Sequence, residues 1–105
     1  MIEITLIAIP NQSFSIQLDN SVYNFKIRFL INFMAVDLVR DNITILNGIR
    51  IVPGFPIIPF RYLEQGNFIL LTANHEYPLY TQFGINQFLF YVSQDELEAI
   101  RAAAA

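Results

Sequence analysis

The chain has 105 residues, six basic and nine acidic side chains, one histidine and no cysteine. This length predicts a single domain over residues 1–105, and the net charge of −3 is opposite in sign to the usual balance of a nucleic-acid-binding domain. The missing cysteines exclude a disulfide framework, a thiolate zinc site and a thiol nucleophile, and the single histidine excludes a histidine-based metal cluster.

The first half of the chain is dominated by strand patterns. Residues 2–9 predict a first strand, which Pro10 ends. In residues 13–18 large apolar side chains alternate with polar ones, and the same alternation returns in residues 23–29 after the polar turn at residues 19–21. This period of two predicts an antiparallel hairpin with one buried and one wet face.

Residues 33–40 predict a third strand, apolar on both faces and therefore covered on both sides. Asp41 and Asn42 then turn the chain. A second hairpin is predicted from residues 44–46 and 49–51 around Asn47-Gly48, because Asn-Gly suits a type I′ turn.

Residues 52–62 carry three prolines at a spacing of three. Proline has no N–H and resists helix and central strand, so this segment is predicted to be an extended loop along a sheet edge. An extended apolar segment is poorly accommodated at the surface of a monomer. We therefore predict a contact with another subunit or protein through Phe55, Ile57, Ile58 and Phe60.

Residues 67–72 and 87–92 predict the last two strands, and the loop between them, residues 73–86, is long for a hairpin connection. Loops of this length without regular structure are commonly functional or disordered, and three large aromatic residues argue against disorder. We predict a second contact through Tyr77, Tyr80 and Phe83.

Residues 93–101 predict the single helix. Ser93 and Glu96 form a capping-box pattern at its start, and Leu97 and Ile100 are expected to face inward. Residues 102–105 are an alanine tail that carries no information. The fold class is therefore all-β: a small antiparallel barrel or sandwich of about six to eight strands over residues 1–92, with a short C-terminal helix.

The candidates for chemistry are few. His75 would need Glu76 or Asp37 to orient it as a base, but no serine lies in a nucleophile-elbow pattern. Asp37 lies in an apolar strand, and a buried charge there requires pairing with Arg28, Arg40 or Arg50. We predict that neither residue is catalytic, that the protein is not an enzyme, and that it has no cofactor-binding or metal-binding residues.

Apolar residues make up 54% of the chain, more than one small core is expected to hide. The excess predicts permanent contacts with other copies of the same chain. No run of about 18 apolar residues is present, so no spanning helix is expected. Lys26 and Arg28 lie on the opposite strand face from the neighbouring aromatic residues, which argues against a groove for single-stranded nucleic acid.

Four segments together resemble a known family: IPNQSFSIQLDNSVYNFKIRF from residue 9, LNGIRIVPGFPIIPFRY from residue 46, GNFILLT from residue 66, and TQFG with NQFLFYVS near residues 81–93. They are similar to the small baseplate plug proteins of contractile-tailed bacteriophages, of the type found in a simplified cyanophage baseplate. The resemblance extends over about residues 2–98.

This resemblance implies a structural virion protein of the tail baseplate, assembled in the cytoplasm of the bacterial host. Several copies would block the central lumen of the hub and tube and would contact hub, tube-initiator or spike proteins. The family has no catalytic motif to transfer, and the resemblance implies neither a cofactor nor recognition of nucleic acid or membrane. The alternative function is a small β-barrel or β-sandwich module that binds carbohydrate or single-stranded nucleic acid.

Overall fold

The computed structural model describes residues 1–104, which form two antiparallel sheets and one helix. The strands are β1 (Ile2–Ile4), β2 (Asn11–Leu18), β3 (Ser21–Leu30), β4 (Phe33–Arg40), β5 (Ile43–Arg50), β6 (Asn67–Thr72) and β7 (Gln87–Val92), and the helix is α1 (Gln94–Ala104). One sheet has the order β2-β3-β4-β5 and the other the order β1-β7-β6. The all-β prediction is confirmed, and of the two predicted architectures the sandwich is observed.

Aromatic side chains from the two sheets meet in the core. The ring of Phe68 on β6 lies edge-on to Phe25 of β3, with 4.7 Å between the ring centroids, and edge-on to Tyr23 at 5.1 Å. Tyr91 of β7 lies 5.3 Å from Phe68. All four side chains are almost completely buried, so the alternating apolar positions of β3 form the inner face of their sheet as predicted.

Two tight turns connect the four strands of the larger sheet in two pairs. Asp19-Asn20 joins β2 to β3 and Asp41-Asn42 joins β4 to β5, and all four residues have positive φ. Aspartate and asparagine tolerate this left-handed conformation, and two such residues in succession match the twist of a hairpin. The predicted first hairpin and the turn at Asp41-Asn42 are confirmed.

The predicted hairpin at Asn47-Gly48 is wrong, because both residues lie inside β5. Val36 pairs with Ile49 and Leu38 with Leu46, so Asp37 alone faces these two residues and β5 has a bulge there. Gly48 adopts a φ of 69°, and its N–H donates a hydrogen bond to Asp37 Oδ1 at 2.6 Å. The Asn-Gly pair therefore provides the positive φ that a bulge also requires.

The first strand is shorter than predicted and ends at Ile4. Beyond it the chain crosses from the smaller sheet to the larger one. The side-chain amide of Gln12 satisfies the backbone of Ile7, accepting from its N–H at 3.1 Å and donating to its carbonyl oxygen at 2.7 Å. A side chain thus replaces the ladder partner that a continued strand would need.

Helix α1 begins with the predicted capping box. The Ser93 N–H donates to Glu96 Oε1 at 3.1 Å, and the Glu96 N–H donates to Ser93 Oγ at 3.3 Å. Leu97 is buried as predicted, but Ile100 is exposed, because the residue that follows Leu97 on the inward face is Arg101, four positions later. The helix extends three residues beyond its predicted end, in keeping with the high helix propensity of alanine, and Ala105 lies outside the described residues. Over residues 1–104, no helix has the length and apolarity needed to cross a membrane.

Candidate functional site

The proline-rich segment of residues 52–62, here called the arm, runs along the open edge of β6. The Gly54 N–H donates to the Leu70 carbonyl oxygen at 2.9 Å, and the Ile57 N–H donates to the Phe68 carbonyl oxygen at 2.8 Å. Between them Pro56 forms an isolated bridge with Ile69. The arm therefore lies along a sheet edge as predicted and caps backbone groups that would otherwise be unpaired. Its last two residues, Arg61 and Tyr62, are not extended, because they belong to a short 3₁₀ helix that ends at Leu63.

The four apolar residues predicted as a contact divide into two pairs. Ile57 and Ile58 lie in the core of their own chain, whereas Phe55 is 65% exposed and Phe60 is also exposed. The buried amide of Asn67 fixes this arrangement, because it accepts from the Ile58 N–H and donates to the Ile58 carbonyl oxygen, both at 2.9 Å. Of the four residues in the predicted contact, Phe55 and Phe60 therefore keep exposed surface, whereas the two isoleucines are buried within their own chain.

Between the arm and β5 lies a groove with a volume of about 490 Å³, here called the arm groove. Its lining consists of Ile49, Arg50, Val52, Phe55, Pro56, Ile57, Ile58, Pro59, Arg61, Glu64 and Arg101. Most of these residues are apolar, and the charged ones include three of the five arginines of the chain. The arrangement is an apolar depression with a basic border.

The only acidic residue of the arm groove is already neutralised. The side chain of Glu64 is 2% exposed and pairs with Arg101, with Nη1–Oε1 and Nη2–Oε2 distances of 2.5 and 2.9 Å. These hydrogen bonds hold the pKa of the Glu64 carboxyl below its usual value. Arg50 and Arg61 are exposed and form no ion pair within residues 1–104, so the groove is positive in a chain of net charge −3.

Arg50 joins the arm to the second predicted contact, the loop of residues 73–86. Its guanidinium carbon lies 5.3 Å from the Phe33 ring centroid and 5.8 Å from that of Tyr77. A second depression of about 300 Å³ is lined by Arg50, Ile51, Val52, Pro53 and Tyr77. The two segments that were predicted separately therefore border one continuous surface.

The three aromatic residues predicted in this loop have different surroundings. Tyr77 is exposed, Tyr80 is half-buried with its ring 5.4 Å from that of Phe29, and Phe83 is buried in the core. Phe83 is therefore unavailable to a partner, and Tyr77 is the loop's main exposed aromatic residue. The buried amide of Gln87 on β7 orders the loop by accepting from the Leu79 N–H at 2.9 Å and donating to the Tyr77 carbonyl oxygen at 3.0 Å.

Sequence reasoning missed the two arginines that border the arm groove and the apolar tip of the β3–β4 turn. Arg50 and Arg61 stand just before and near the end of the arm, so their position around an apolar segment was the available signal. Ile31 is 93% exposed at a φ of 54°, a conformation that is strained for a β-branched residue. The turn gave no clear sequence signal, because an isoleucine stands at the position of positive φ, where Gly, Asn or Asp is usual.

The candidates for chemistry lie apart from the arm groove. His75 is exposed and its side chain forms no hydrogen bond or ion pair within residues 1–104, while Glu76 accepts a hydrogen bond from Gln87 at 3.3 Å. Asp37 pairs with Arg28 through an Nη2–Oδ1 distance of 3.0 Å, which is one of the three partners predicted. No group of three histidine or acidic side chains suited to a metal ion occurs in the described part of the chain.

The fold and the arm groove define a small antiparallel β-sandwich with an apolar, basic surface of the kind that contacts other proteins. Residues 1–95 match the family described as cyanophage baseplate Pam3 plug gp18. The chain belongs to this family of structural baseplate proteins, and the resemblance seen in the sequence is confirmed. No curated protein sequence matches the chain. The matched residues include the whole arm groove except Arg101.

Proposed function

We propose that this protein plugs the central lumen of the hub and tube in a phage tail baseplate. Several copies contact one another and contact hub, tube-initiator or spike proteins. The observation that carries the proposal is the family match over residues 1–95. A plug acts by shape and attachment, so its location is the tail baseplate of the virion, with assembly in the bacterial host cytoplasm.

The exposed apolar residues support a role in permanent contacts. Phe55, Phe60 and Tyr77 are exposed around or beside the arm groove, and each is a large side chain of the type enriched in interface cores. The strand edge beneath them is already capped by the arm. A partner would therefore bind here through side chains in the groove and not by adding a strand.

We also propose that the protein performs no catalysis. Obstruction of a channel requires no chemical step, and the best candidates for chemistry have structural surroundings or no partners. Asp37 accepts hydrogen bonds from Arg28 and from the Gly48 N–H. His75 lies on an exposed loop, and its side chain forms no hydrogen bond or ion pair within residues 1–104. A base without a nucleophile or an orienting acid lacks the parts of a hydrolytic site.

The test is imaging of phage tails by electron cryomicroscopy, with and without the gene for this protein. We expect density on the tail axis that fits the sandwich in wild-type particles and is missing when the gene is deleted. A copy complemented in trans should restore that density. Density for the chain only on the outside of the baseplate would contradict the plug function.

The alternative of a carbohydrate-binding or single-strand-binding module is less well supported, because the family match is to baseplate plug proteins. The exposed rings of Phe60 and Tyr62 lie at 41° to each other, so they do not form a flat platform for a sugar. Exposed Lys26 and buried Phe25 lie on opposite faces of β3, so the Phe25 ring offers no exposed surface on which a nucleobase could stack beside Lys26. Binding of a labelled single-stranded oligonucleotide that weakens steeply with salt would favour the alternative.

A further inference from the structure

Two pairs of like charges are exposed without ion-pair partners, one pair basic and one pair acidic. Arg50 and Arg61 border the arm groove without an acidic partner within residues 1–104. On α1, Asp95 and Glu98 are exposed and likewise form no ion pair in the described part of the chain. A chain of net charge −3 thus presents one basic apolar groove and one acidic helical face.

The acidic face of α1 has a composition that suits the groove. Positions i, i+3 and i+4 of a helix share one face, and here they are Asp95, Glu98 and Ala99, all exposed. Alanine lets a helix approach an apolar surface closely, and the two carboxylates lie beside Ala99 towards the start of the helix. The buried face of the same helix, with Leu97 and Arg101, is already used within the chain.

We propose that the arm groove receives this face of α1 from a second copy of the chain, with Asp95 and Glu98 facing Arg50 and Arg61. The proposal rests on the proposed function, in which copies of the plug contact one another. It adds the surface and the charge pairing of that contact. Because Arg101 of the same α1 lines its own chain's groove, the helix is fixed at one end of that groove while its exposed face is directed to solvent.

The contact joins two different surfaces of one chain. Such a contact closes into a reciprocal pair or continues from copy to copy into a ring, according to the rotation between neighbours. The charged groups lie at the border and the apolar groups in the centre, which is the usual anatomy of a specific interface. Added salt should therefore weaken the contact without abolishing it.

The experiment uses two charge reversals in the full chain, Arg61→Glu in the groove and Glu98→Arg on the helix. Both side chains are exposed and form no side-chain hydrogen bond within residues 1–104, so the fold should be retained, which thermal melting verifies. Sedimentation velocity then measures the self-association of each protein. Each single variant should associate at least about tenfold more weakly than the wild type, because like charges would face each other.

Mixing the two variants gives the decisive measurement. The unchanged helix of the Arg61→Glu protein fits the unchanged groove of the Glu98→Arg protein, and the two reversed surfaces also complement each other. The equimolar mixture should therefore form complexes that neither variant forms alone. Glu3→Arg, a charge reversal of the same size as Glu98→Arg at an exposed position of β1, is the control and should associate like the wild type.

The inference is overturned if the wild-type chain stays monomeric at its highest soluble concentration, if Arg61→Glu associates like the wild type, or if mixing restores nothing. These outcomes leave the plug function to its own test. Axial density in the tail together with an unaffected Arg61→Glu protein would show a plug whose copies meet through another surface. Missing axial density together with restored association on mixing would show that the proposed contact exists but that the protein does not plug the lumen.

Discussion

Glu64 and Arg101 form a two-point ion pair that joins the chain just beyond the arm to helix α1. The carboxylate also accepts a hydrogen bond from Asn67 Nδ2 at 2.6 Å, and Asn67 in turn holds the backbone of Ile58. One buried carboxylate therefore connects the helix, the arm and strand β6. The position of the arm groove depends on this connection.

Glu64→Gln should lower the free energy of unfolding by about 1–3 kcal/mol at pH 7, because a buried, charge-assisted set of hydrogen bonds loses its charge. The wild type should also lose stability in acid. The folded pKa of Glu64 lies below the usual 4.5, so the contribution is complete above about pH 4.5 and disappears as the pH falls through the folded pKa. Urea titrations across that range should show a shallower pH dependence for Glu64→Gln. Equal pH profiles for the two proteins would contradict the assignment.

The second tested charge is that of Asp37 on strand β4, which pairs with Arg28 of β3. The Arg28 and Asp37 side chains are 31% and 24% exposed, so solvent screens their attraction. We expect Asp37→Asn to cost about 1 kcal/mol, because the amide oxygen still accepts from the Gly48 N–H. Asp37→Ala should cost more, because it also removes the acceptor that holds the β5 bulge. Glu3→Gln, at an exposed position of β1, is the control and should change the unfolding free energy of the isolated chain by less than about 0.5 kcal/mol.

Gly66 lies against the ring of Tyr91. A Cβ atom at residue 66 would stand 2.4 Å from the Tyr91 hydroxyl oxygen, and that hydroxyl is fixed by a 2.6 Å hydrogen bond to Asp19 Oδ2. Gly66 also has a φ of 80°, which disfavours any side chain. Gly66→Ala should therefore be among the most destabilising alanine substitutions in the chain.

Gly54→Ala is the matched control for this substitution. Gly54 has nearly the same φ, 78°, but a Cβ there meets nothing within 4 Å. Gly54→Ala should lower the free energy of unfolding by roughly 1–2 kcal/mol, because alanine disfavours a positive φ. At Gly66 the clash with Tyr91 should add about 1–3 kcal/mol to that loss. Melting temperatures of the two variants measure the difference. Similar values for both would mean that Tyr91 moves aside freely.

The sequence predicted the fold best where local signals agreed with tertiary packing. The β2–β3 alternation and the capping box of α1 are both observed, because each is set by neighbouring residues. Asn47-Gly48 gave an equally clear local signal, but it predicted a hairpin turn where the structure has a bulge within β5. A positive φ serves a bulge as well as a turn, and only the pairing of β5 with Asp37 decides between them.

The contact surface was predicted less completely for a related reason. Apolar content and proline spacing identified the arm and the loop of residues 73–86 as unusual segments. They could not show which apolar side chains turn inward, because the arm follows no regular period: Ile57 and Ile58 are adjacent and both buried. Nor could they show that Arg50 and Arg61 border the same groove, because that depends on the distance between the arm and β5.

The last prediction separates the surface of the arm from its core residues. Ile58→Ala should lower the free energy of unfolding by about 2–4 kcal/mol, because its side chain is 2% exposed and the cavity would form between the sheets. Phe55→Ala should leave the stability of the isolated chain nearly unchanged, because its ring lies largely in solvent. Tyr77→Ala should behave in the same way.

Under the proposed function, the same two aromatic substitutions should weaken association with other copies or with hub proteins, as measured by light scattering of the purified mixtures. Phe83→Ala serves as the second core variant and should lower stability, because its ring is buried beneath the loop. If Phe55→Ala and Tyr77→Ala assemble like the wild type while Ile58→Ala alone fails, the exposed aromatic residues are not part of a contact. The arm would then serve only to cap the edge of β6, and the binding surface would have to lie elsewhere on the sandwich.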